Sequence, residues 1–155
     1  MKIAFIGHRQ VHDVSRCETQ LKKILETLIV GQNADTFLFG SRSKFNDICY
    51  RAVTELKVRF PHIRRIYIRA EYEYISDTYR EYLHTQYEES FFPPEISHAG
   101  SKVYVERNYL LVRMCDMLIT YCSPPIPNKK SGTQLTVQYA RKMKKRIFNM
   151  YDVTL

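Results

Sequence analysis

The 155-residue sequence contains no tryptophan, only five glycines and six prolines, and no apolar run near the ~20 residues that a membrane-spanning helix needs. The low glycine and proline content excludes collagen-like and low-complexity chains. The first nine residues hold a short apolar run followed by charge, without the small residues of a cleavage site. They predict a strand rather than a signal peptide. We therefore expect a cytoplasmic globular chain without membrane contact.

Cysteine and histidine are sparse as well. The four cysteines, Cys17, Cys49, Cys115 and Cys122, form no CxxC pair, and the five histidines are scattered along the chain. This spacing gives no zinc-ligand pattern. Because 45% of the residues are hydrophobic, the chain can build a core without a disulfide framework. We expect buried free thiols in a reducing compartment, with no metal and no cofactor.

Positive charge exceeds negative charge, with 24 Lys and Arg against 16 Asp and Glu, a net charge of +8. The excess is uneven, since residues 141–146 carry five basic side chains whereas residues 71–95 carry seven acids and one base. Such a charge favours either nucleic acid or a small anionic ligand. Because a duplex-binding chain would not obviously place an acidic stretch mid-sequence, we place DNA binding below small-ligand binding.

Short apolar strands alternate with amphipathic helices along the whole sequence. The predicted strands cover 2–6, 36–39, 65–69, 117–121 and 146–150. The predicted helices cover 15–29, 44–58, 77–88, 102–115 and 133–144, with Ser15 and Ser43 as N-caps of the first two. This alternation predicts an α/β fold with a mostly parallel sheet of about five strands and helices on both faces.

Open parallel sheets bind ligands beyond the carboxyl ends of their strands, so the residues that follow each predicted strand are the candidate site. Gly7, His8 and Arg9 follow the first strand. The glycine permits a tight turn and close approach of a ligand, and Arg9 offers a bidentate fork for phosphate. A turn glycine followed by a solvated arginine is the plainer interpretation of the same residues.

The second strand leads into the clearest helix of the sequence through Gly40, Ser41 and Arg42. Small and hydroxylated residues at a helix N-terminus suit an anion, although neither GxxxxGK[ST] nor GxGxxG is present. Asp47 lies in the first turn of that helix. It either complements the helix dipole or bonds a ribose hydroxyl and assists chemistry at the sugar carbon.

Three further groups complete the candidate site. Glu71 follows the third strand, where a carboxylate could face a ligand. The second group is Glu106, Arg107 and Asn108, early in the fourth helix, and the third is Ser131, Gly132 and Thr133, which open the last helix. The third group forms a second anion cradle beyond a different strand.

These motifs together carry a family resemblance. It rests on residues 6–9, on 39–41 with Phe45 and Asp47, on 67–74, on 106–108 with Cys115 and Asp116, and on 131–133. Their order and spacing resemble the SLOG superfamily, which includes DNA-processing protein A and the LOG phosphoribohydrolases. Within it, the chain is most similar to small single-domain bacterial and phage proteins of the YoqJ/YpsA kind. The resemblance covers nearly the whole chain and implies one Rossmann-like domain over residues 1–155 that binds nucleotides or nucleotide-derived ligands.

The sequence departs from the LOG signature PGGxGTxxE at one decisive point. The cradle residues Gly132 and Thr133 are kept, but the PGG is absent and Thr136 stands where the catalytic glutamate would be. Because threonine cannot act as that carboxylate, the phosphoribohydrolase mechanism does not carry over. Whether the chain is an enzyme stays open, and Asp47 or Glu71 would have to supply the carboxylate.

Three functions follow from this pattern. The first is sensing or sequestering a nucleotide or an ADP-ribose-type ligand, with phosphate on the Ser131–Thr133 cradle, charge from Arg9 and Arg107, and a base stacked on Tyr72 or Tyr121. The alternative is a nucleoside-monophosphate N-glycosidase or deoxyribosyltransferase that uses Asp47 or Glu71. The second alternative is DNA binding through residues 141–146. Twelve Tyr and eight Phe exceed what the core needs, so we also expect a homo-oligomer.

Overall fold

The computed structural model describes residues 1–154, which form a parallel six-stranded sheet with helices on both faces. The strands are β1 (Lys2–Gly7), β2 (Thr36–Phe39), β3 (Arg64–Ile68), β4 (Glu89–Phe91), β5 (Met117–Tyr121) and β6 (Arg146–Asn149). The helices are α1 (Val14–Gln32), α2 (Lys44–Arg59), α3 (Asp77–Gln86), α4 (Val103–Met114), α5 (Gly132–Lys142) and α6 (Met150–Val153). Two short 3-10 helices, Pro94–Ile96 and Gly100–Lys102, precede α4. The predicted α/β fold class is confirmed.

The strand order is β4-β3-β2-β1-β5-β6. The chain starts in the middle of the sheet, builds outward to β4, and then crosses to the other side of β1 to add β5 and β6. The direction of winding therefore reverses between β1 and β5. In open α/β sheets the crevice beyond the strands at such a reversal is the usual ligand position.

The sheet has one strand more than the sequence predicts. The additional strand, β4, is only three residues long and pairs with β3 alone, with Ile68 opposite Phe91. A short, partly polar segment has no apolar run to mark it, and its strand conformation depends on pairing with β3 rather than on its own composition.

The N-caps of α1 and α2 show how far local sequence determines the residue at which a helix begins. Ser43 caps α2 as predicted, since its side chain accepts a hydrogen bond from the backbone N–H of Asn46 at 3.1 Å. The cap of α1 is Asp13 instead of the predicted Ser15, with its carboxylate accepting from Arg16 N at 3.1 Å. Asp and Ser are about equally good N-caps, so local sequence alone does not choose between them.

Two apolar clusters, one on each face of the sheet, form the core. One lies between the sheet and α1 and α2, and includes Phe5, Phe37 and Phe39; the other includes Leu118 and Val137. All four cysteines are buried, and burial raises the pKa of each thiol, to about 11 for Cys17 and Cys115. Within residues 1–154, no helix combines the length and apolar character that crossing a membrane requires.

Candidate functional site

A cavity of about 270 Å³ lies beyond the carboxyl ends of β2 and β3. One wall consists of the loop residues Gly40, Ser41 and Arg42 together with Asn46 and Asp47 from the first turn of α2. The other walls are mainly aromatic and contain Phe39, Tyr50, Tyr67, Tyr79, Tyr82 and Tyr87. The structure therefore brings four of the predicted site residues, Gly40, Ser41, Arg42 and Asp47, into one cavity.

The first turn of α2 is built by its cap. Ser43 Oγ accepts from Asn46 N and lies 3.2 Å from Ser41 Oγ, so the loop after β2 is tied to the start of the helix. Asp47 is exposed and lines the cavity. Because a helix N-terminus carries partial positive charge, this end of the cavity favours a negative or hydrogen-bond-accepting group.

The tyrosines form a connected wall. Tyr50 and Tyr87 have ring centroids 5.2 Å apart, Tyr67 and Tyr87 are 5.1 Å apart, and Phe39 lies 5.7 Å from Tyr50. The Tyr50 hydroxyl donates to the Gln86 carbonyl at 2.6 Å, and burial raises the pKa of Tyr87. Packed aromatic side chains at these distances hold each other in place and present ring faces and edges to a ligand.

Arg42 and Glu71 pair at the rim of the cavity. Arg42 Nη2 lies 3.6 Å from Glu71 Oε2, and both side chains are exposed. The Tyr67 hydroxyl, followed by the Tyr79 hydroxyl and Glu71, raises the pKa of Arg42. Glu71 therefore acts as a counter-ion of Arg42 in this structure and does not line the cavity wall.

Arg107 is the most unusual charged residue of the site. It is 4% exposed, its Nε donates to Asn108 Oδ1 at 2.9 Å, and its Nη1 donates to the Ile68 carbonyl at 3.3 Å. Within residues 1–154 no carboxylate pairs with it. Burial lowers the pKa of Arg107 to about 10, which still leaves the guanidinium charged at neutral pH.

Arg107 does not itself line the cavity, but it packs against Gly40, which does. A methyl group at Gly40 would lie 2.8 Å from Arg107 Cδ and 2.9 Å from its Nε, so the absence of a side chain lets the arginine pack against the loop. Asn108 orients the guanidinium through its Oδ1. The neighbouring Glu106 is half-buried.

Gly7 ends β1, and His8 and Arg9 follow it; all three contact neighbouring elements. Gly7 is buried, and a methyl group there would lie 2.3 Å from the ring of Phe45. His8 Nε2 accepts from Ser123 N at 2.9 Å, a bond that requires the tautomer with its proton on Nδ1. Burial lowers the pKa of His8, which favours the neutral ring. Arg9 has an exposed side chain, while its carbonyl accepts from Lys44 N at 3.3 Å. None of Gly7, His8 and Arg9 lines the cavity.

The second predicted cradle, residues 131–133, also lies beyond the carboxyl ends of the strands, but away from the cavity. Ser131 Oγ caps α5 by accepting from Gln134 N at 3.4 Å, Thr133 is buried and Gly132 is exposed. None of these three residues lines the tyrosine-walled cavity. A separate depression of about 210 Å³ lies beside α5, and Gln134, Gln138 and Arg141 are among its lining residues.

Two predicted aromatic partners of a ligand do not line the cavity. Tyr121 is 2% exposed, and its hydroxyl accepts from His12 N at 3.1 Å. Tyr72 is 66% exposed and lies outside the cavity wall.

Thr136, at the position of the LOG glutamate, is buried and donates to the Gly132 carbonyl at 2.8 Å. That position therefore serves helix packing in this chain.

The sequence analysis missed Asn46 and the tyrosines that do line the cavity. Asn46 is 6% exposed, and its Oδ1 has no hydrogen-bond partner among the described residues. The available signals were its place one turn after the Ser43 cap and the density of tyrosine between residues 50 and 87. Neither signal shows which rings converge, because the rings come from β2, α2, β3, α3 and the residue that follows α3.

The basic run of residues 141–146 lies toward the amino ends of the strands, away from the cavity. Lys142 ends α5 and Arg146 begins β6, so this stretch follows the carboxyl end of a helix and precedes the amino end of a strand. Lys145 Nζ donates to the Cys115 carbonyl at 2.8 Å, and Arg146 Nη1 donates to Gln32 Oε1 at 2.9 Å. Part of the run therefore serves internal contacts.

The fold and site together define a Rossmann-like α/β protein with an aromatic cavity at the carboxyl edge of its sheet. Among solved structures, the chain is similar to the molybdenum cofactor carrier protein MCP from Chlamydomonas reinhardtii, with a TM-score of 0.56 and 14% sequence identity over 94% of this chain and 73% of that one. At this identity the likeness shows the fold alone. No protein-family model matches the sequence, and no curated protein does.

Proposed function

We propose that this chain binds a small phosphorylated ligand of the nucleotide class and holds it without turnover, as a sensing or sequestering member of the SLOG superfamily. The observation that carries the proposal is Arg107, a buried cation without a carboxylate partner that packs against Gly40 beside the cavity. A buried charge is costly unless it is paired. A phosphate bound at the Gly40 loop would supply the missing negative charge.

Three neighbouring features support an anion at this place. The first turn of α2 faces the cavity, Arg42 stands at its rim, and Gly40 lets the guanidinium-bearing side chain of Arg107 pack against the loop. Guanidinium groups bind phosphate through paired N–H donors, and helix N-termini add free backbone donors. The Ser131–Thr133 cradle lies on the same edge of the sheet and is proposed to hold a second phosphate of a longer ligand, such as an ADP-ribose type.

The likeness to a carrier protein is consistent with this proposal. The Chlamydomonas protein is named as a carrier of the molybdenum cofactor. A carrier holds a small molecule and releases it intact, and we propose the same kind of activity here. The identity of the ligand is not transferred from that protein.

A thermal-shift screen tests the proposal. The probes are inorganic phosphate, ribose 5-phosphate, AMP, ADP, ADP-ribose and cyclic nucleotides, each followed by chromatography for released base. A ligand present at 100 times its Kd should stabilise the fold by about 2.7 kcal/mol. A shift with intact ligand supports binding without turnover, whereas no shift with any phosphorylated probe would refute the proposal.

A pair of variants on α4 sharpens that screen. Arg107→Gln removes the buried charge and should weaken binding of every phosphorylated probe about tenfold or more, since hydrogen bonds to charged groups contribute about 1.5–3 kcal/mol. Arg113→Gln is the matched control, because Arg113 is exposed on the same helix and bonds the Tyr139 hydroxyl. Equal affinities in the two variants would contradict the role given to Arg107.

A second candidate function is cleavage of an N-glycosidic bond. The observation in its favour is that Asp47 lines the cavity as an exposed carboxylate that forms no ion pair within residues 1–154. Asp47→Asn should abolish release of free base while binding persists, and Glu71→Gln, which removes the rim partner of Arg42, should not. Base release that survives in Asp47→Asn would exclude Asp47 as the catalytic carboxylate.

We also propose that the chain forms a homo-oligomer. Tyr72 and Tyr74 are 66% and 86% exposed, and neighbouring exposed aromatic side chains suit a contact between subunits. Light scattering coupled to gel filtration measures the mass directly. A mass of 18.5 kDa at micromolar concentration would contradict this expectation.

A further inference from the structure

We propose that the tyrosine-walled cavity is the ring subsite of the ligand, and that Asn46 recognises a nitrogen heterocycle that places an amino or N–H donor beside a ring nitrogen. This inference rests on the proposed function, since the phosphate on the Gly40 loop and Arg107 would bring the ring into the cavity. It adds the chemical class of the ring.

The size of the cavity favours part of a ligand over a whole one. Small-ligand pockets usually measure about 300–1,000 Å³. The cavity holds about 270 Å³, and the Gly40–Arg42 loop, where the phosphate is proposed to lie, forms one of its walls. A flat ring inside the cavity, with sugar and phosphate outside it, fits this division.

The walls suit a neutral aromatic ring. Tyrosine rings surround the interior, together with Leu83 and Gln86, while the two charged lining residues, Arg42 and Asp47, come from the Gly40 loop and the first turn of α2. Aromatic side chains bind heterocycles by stacking, and this stacking tolerates any ring with a π-face. Stacking alone therefore does not select among rings.

Selection comes from Asn46. Three buried side-chain oxygens in residues 1–154 have no hydrogen-bond partner, those of Asn46, Ser90 and Thr120. Asn46 lines the tyrosine-walled cavity, whereas Ser90 and Thr120 line neither this cavity nor the depression beside α5. Only 6% of Asn46 is exposed. The amide nitrogen of Asn46 likewise donates to no residue in the described part of the chain.

An unused carboxamide has a donor and an acceptor side by side. Such a group pairs bidentately with an amino group next to a ring nitrogen, which is how asparagine binds the N6 and N7 edge of adenine in DNA. Buried polar atoms in folded proteins almost always find a partner, so an orphan in a cavity wall points to a partner on the ligand. Amino-substituted purines, pyrimidines and pterins all offer this edge.

The test uses three probes that share the phosphate end: AMP, purine riboside 5′-monophosphate, which lacks the amino group, and ribose 5-phosphate, which lacks the ring. Calorimetry should give AMP at least tenfold tighter binding than purine riboside monophosphate, and the latter tighter binding than ribose 5-phosphate. Asn46→Leu should close the gap between the first two probes. Tyr79→Leu should reduce the advantage of both ring-bearing probes, whereas the exposed Tyr74→Leu should leave all three affinities within twofold.

The outcomes separate the two proposals. If neither these three probes nor the other phosphorylated probes of the thermal-shift screen bind, the proposed function fails. If other probes of that screen bind but none of these three does, the ring subsite is refuted. If all three bind with equal affinity, phosphate binding stands and the ring subsite is refuted. If AMP and purine riboside monophosphate bind equally but more tightly than ribose 5-phosphate, or if Asn46→Leu leaves the gap open, recognition by Asn46 is refuted. Circular dichroism and melting temperature of each variant establish that it is folded.

Discussion

At the scale of single residues, Gly40 allows the packing on which the proposed anion site depends. A methyl group there would meet Arg107 Cδ at 2.8 Å and Leu111 Cδ1 at 3.0 Å. Arg107 cannot yield freely, because it is buried and bonded to Asn108 and to the Ile68 carbonyl. We expect Gly40→Ala to cost about 1–3 kcal/mol of stability, the usual cost of overpacking, and to weaken ligand binding. Urea unfolding measures the first effect and calorimetry the second.

Gly31→Ala is the matched control for that change. Gly31 is exposed in the last turn of α1, and a methyl group there would have no neighbour within 4 Å. Because alanine favours helix more than glycine does, this substitution should stabilise the fold by up to about 1 kcal/mol. Two glycine-to-alanine changes of the same sign and size would show that packing against Arg107 does not matter.

His8 gives a second prediction at this scale, on pH. Burial lowers the pKa of His8 below its unfolded value of about 6.5, because the charged ring loses its hydration. The neutral ring can accept the hydrogen bond from Ser123 N. The unfolded chain therefore binds the proton more readily, and the contribution of His8 is fully present above pH ~6.5 and declines as pH falls through the interval down to the folded pKa.

His8→Gln should flatten that part of the profile while keeping a side-chain acceptor. The measurement is the free energy of unfolding by urea between pH 5 and 8 for both proteins. Parallel pH profiles would show that His8 does not titrate differently in the folded and unfolded chains.

Several site residues could be predicted from sequence because the loop after a strand is a local feature. Gly40, Ser41, Arg42 and Asp47 lie in one short segment next to a recognisable helix start, and the carboxyl-end rule assigns them to the site. Asn46 lies in the same short segment, but it belongs to no recognisable motif. Its importance depends on an unpartnered oxygen and on rings from other elements, which exist only once the chain is folded.

At the scale of elements, the edge strand β4 depends on one partly buried ion-pair cluster. Glu88 accepts from Arg65 Nη2 at 2.9 Å and from Lys57 Nζ at 3.0 Å, which joins the start of β4 to β3 and α2. The same turn positions Tyr87 in the cavity wall. Burial by itself raises the pKa of Glu88, but the hydrogen bonds from Arg65 and Lys57 prevail and lower it. This dependence on distant basic residues is why sequence pattern did not reveal β4.

Glu88→Gln should destabilise the fold by about 1–3 kcal/mol, because Arg65 and Lys57 lose a charged acceptor. In the unsubstituted chain this contribution is present above pH ~4.3 and is lost as pH falls through the lowered folded pKa. Glu89→Gln is the control, since the Glu89–Arg64 pair is about half exposed on both sides and should contribute about 0–1 kcal/mol. Equal unfolding midpoints for the two variants would contradict the anchoring role of Glu88.

At the scale of the whole molecule, the two ends of the parallel strands differ chemically. The side where the strands end is the carboxyl edge, and the side where they begin is the amino edge. The carboxyl edge carries the cavity, Arg107 and the two helix N-termini, whereas most of the basic run from residue 141 to 146 lies toward the amino edge. The alternation of strands and helices was sufficient to assign the candidate site to the loops after the strands, but it did not predict that the basic run lies toward the other edge. Strand order and the separation of the two predicted cradles were not predictable, because both depend on how non-adjacent elements pack.

This polarity predicts that ligand binding and any DNA binding are independent. Lys142 and Lys144 are exposed and make no side-chain hydrogen bond within residues 1–154, and the φ of 57° at Lys144 also suits asparagine. The double variant Lys142→Gln, Lys144→Asn should therefore change the affinity for AMP less than twofold.

If the run also binds single-stranded DNA, the slope of log affinity against log salt should become shallower by about 1.4 in the double variant, since each lost phosphate contact removes about 0.7. Fluorescence anisotropy with a labelled oligonucleotide at several salt concentrations measures this slope, and calorimetry on the same samples measures AMP. A large loss of AMP affinity would show that the two edges are coupled. DNA affinity that is absent or independent of salt would assign the basic run to folding and solubility, and would leave the carboxyl edge as the functional surface.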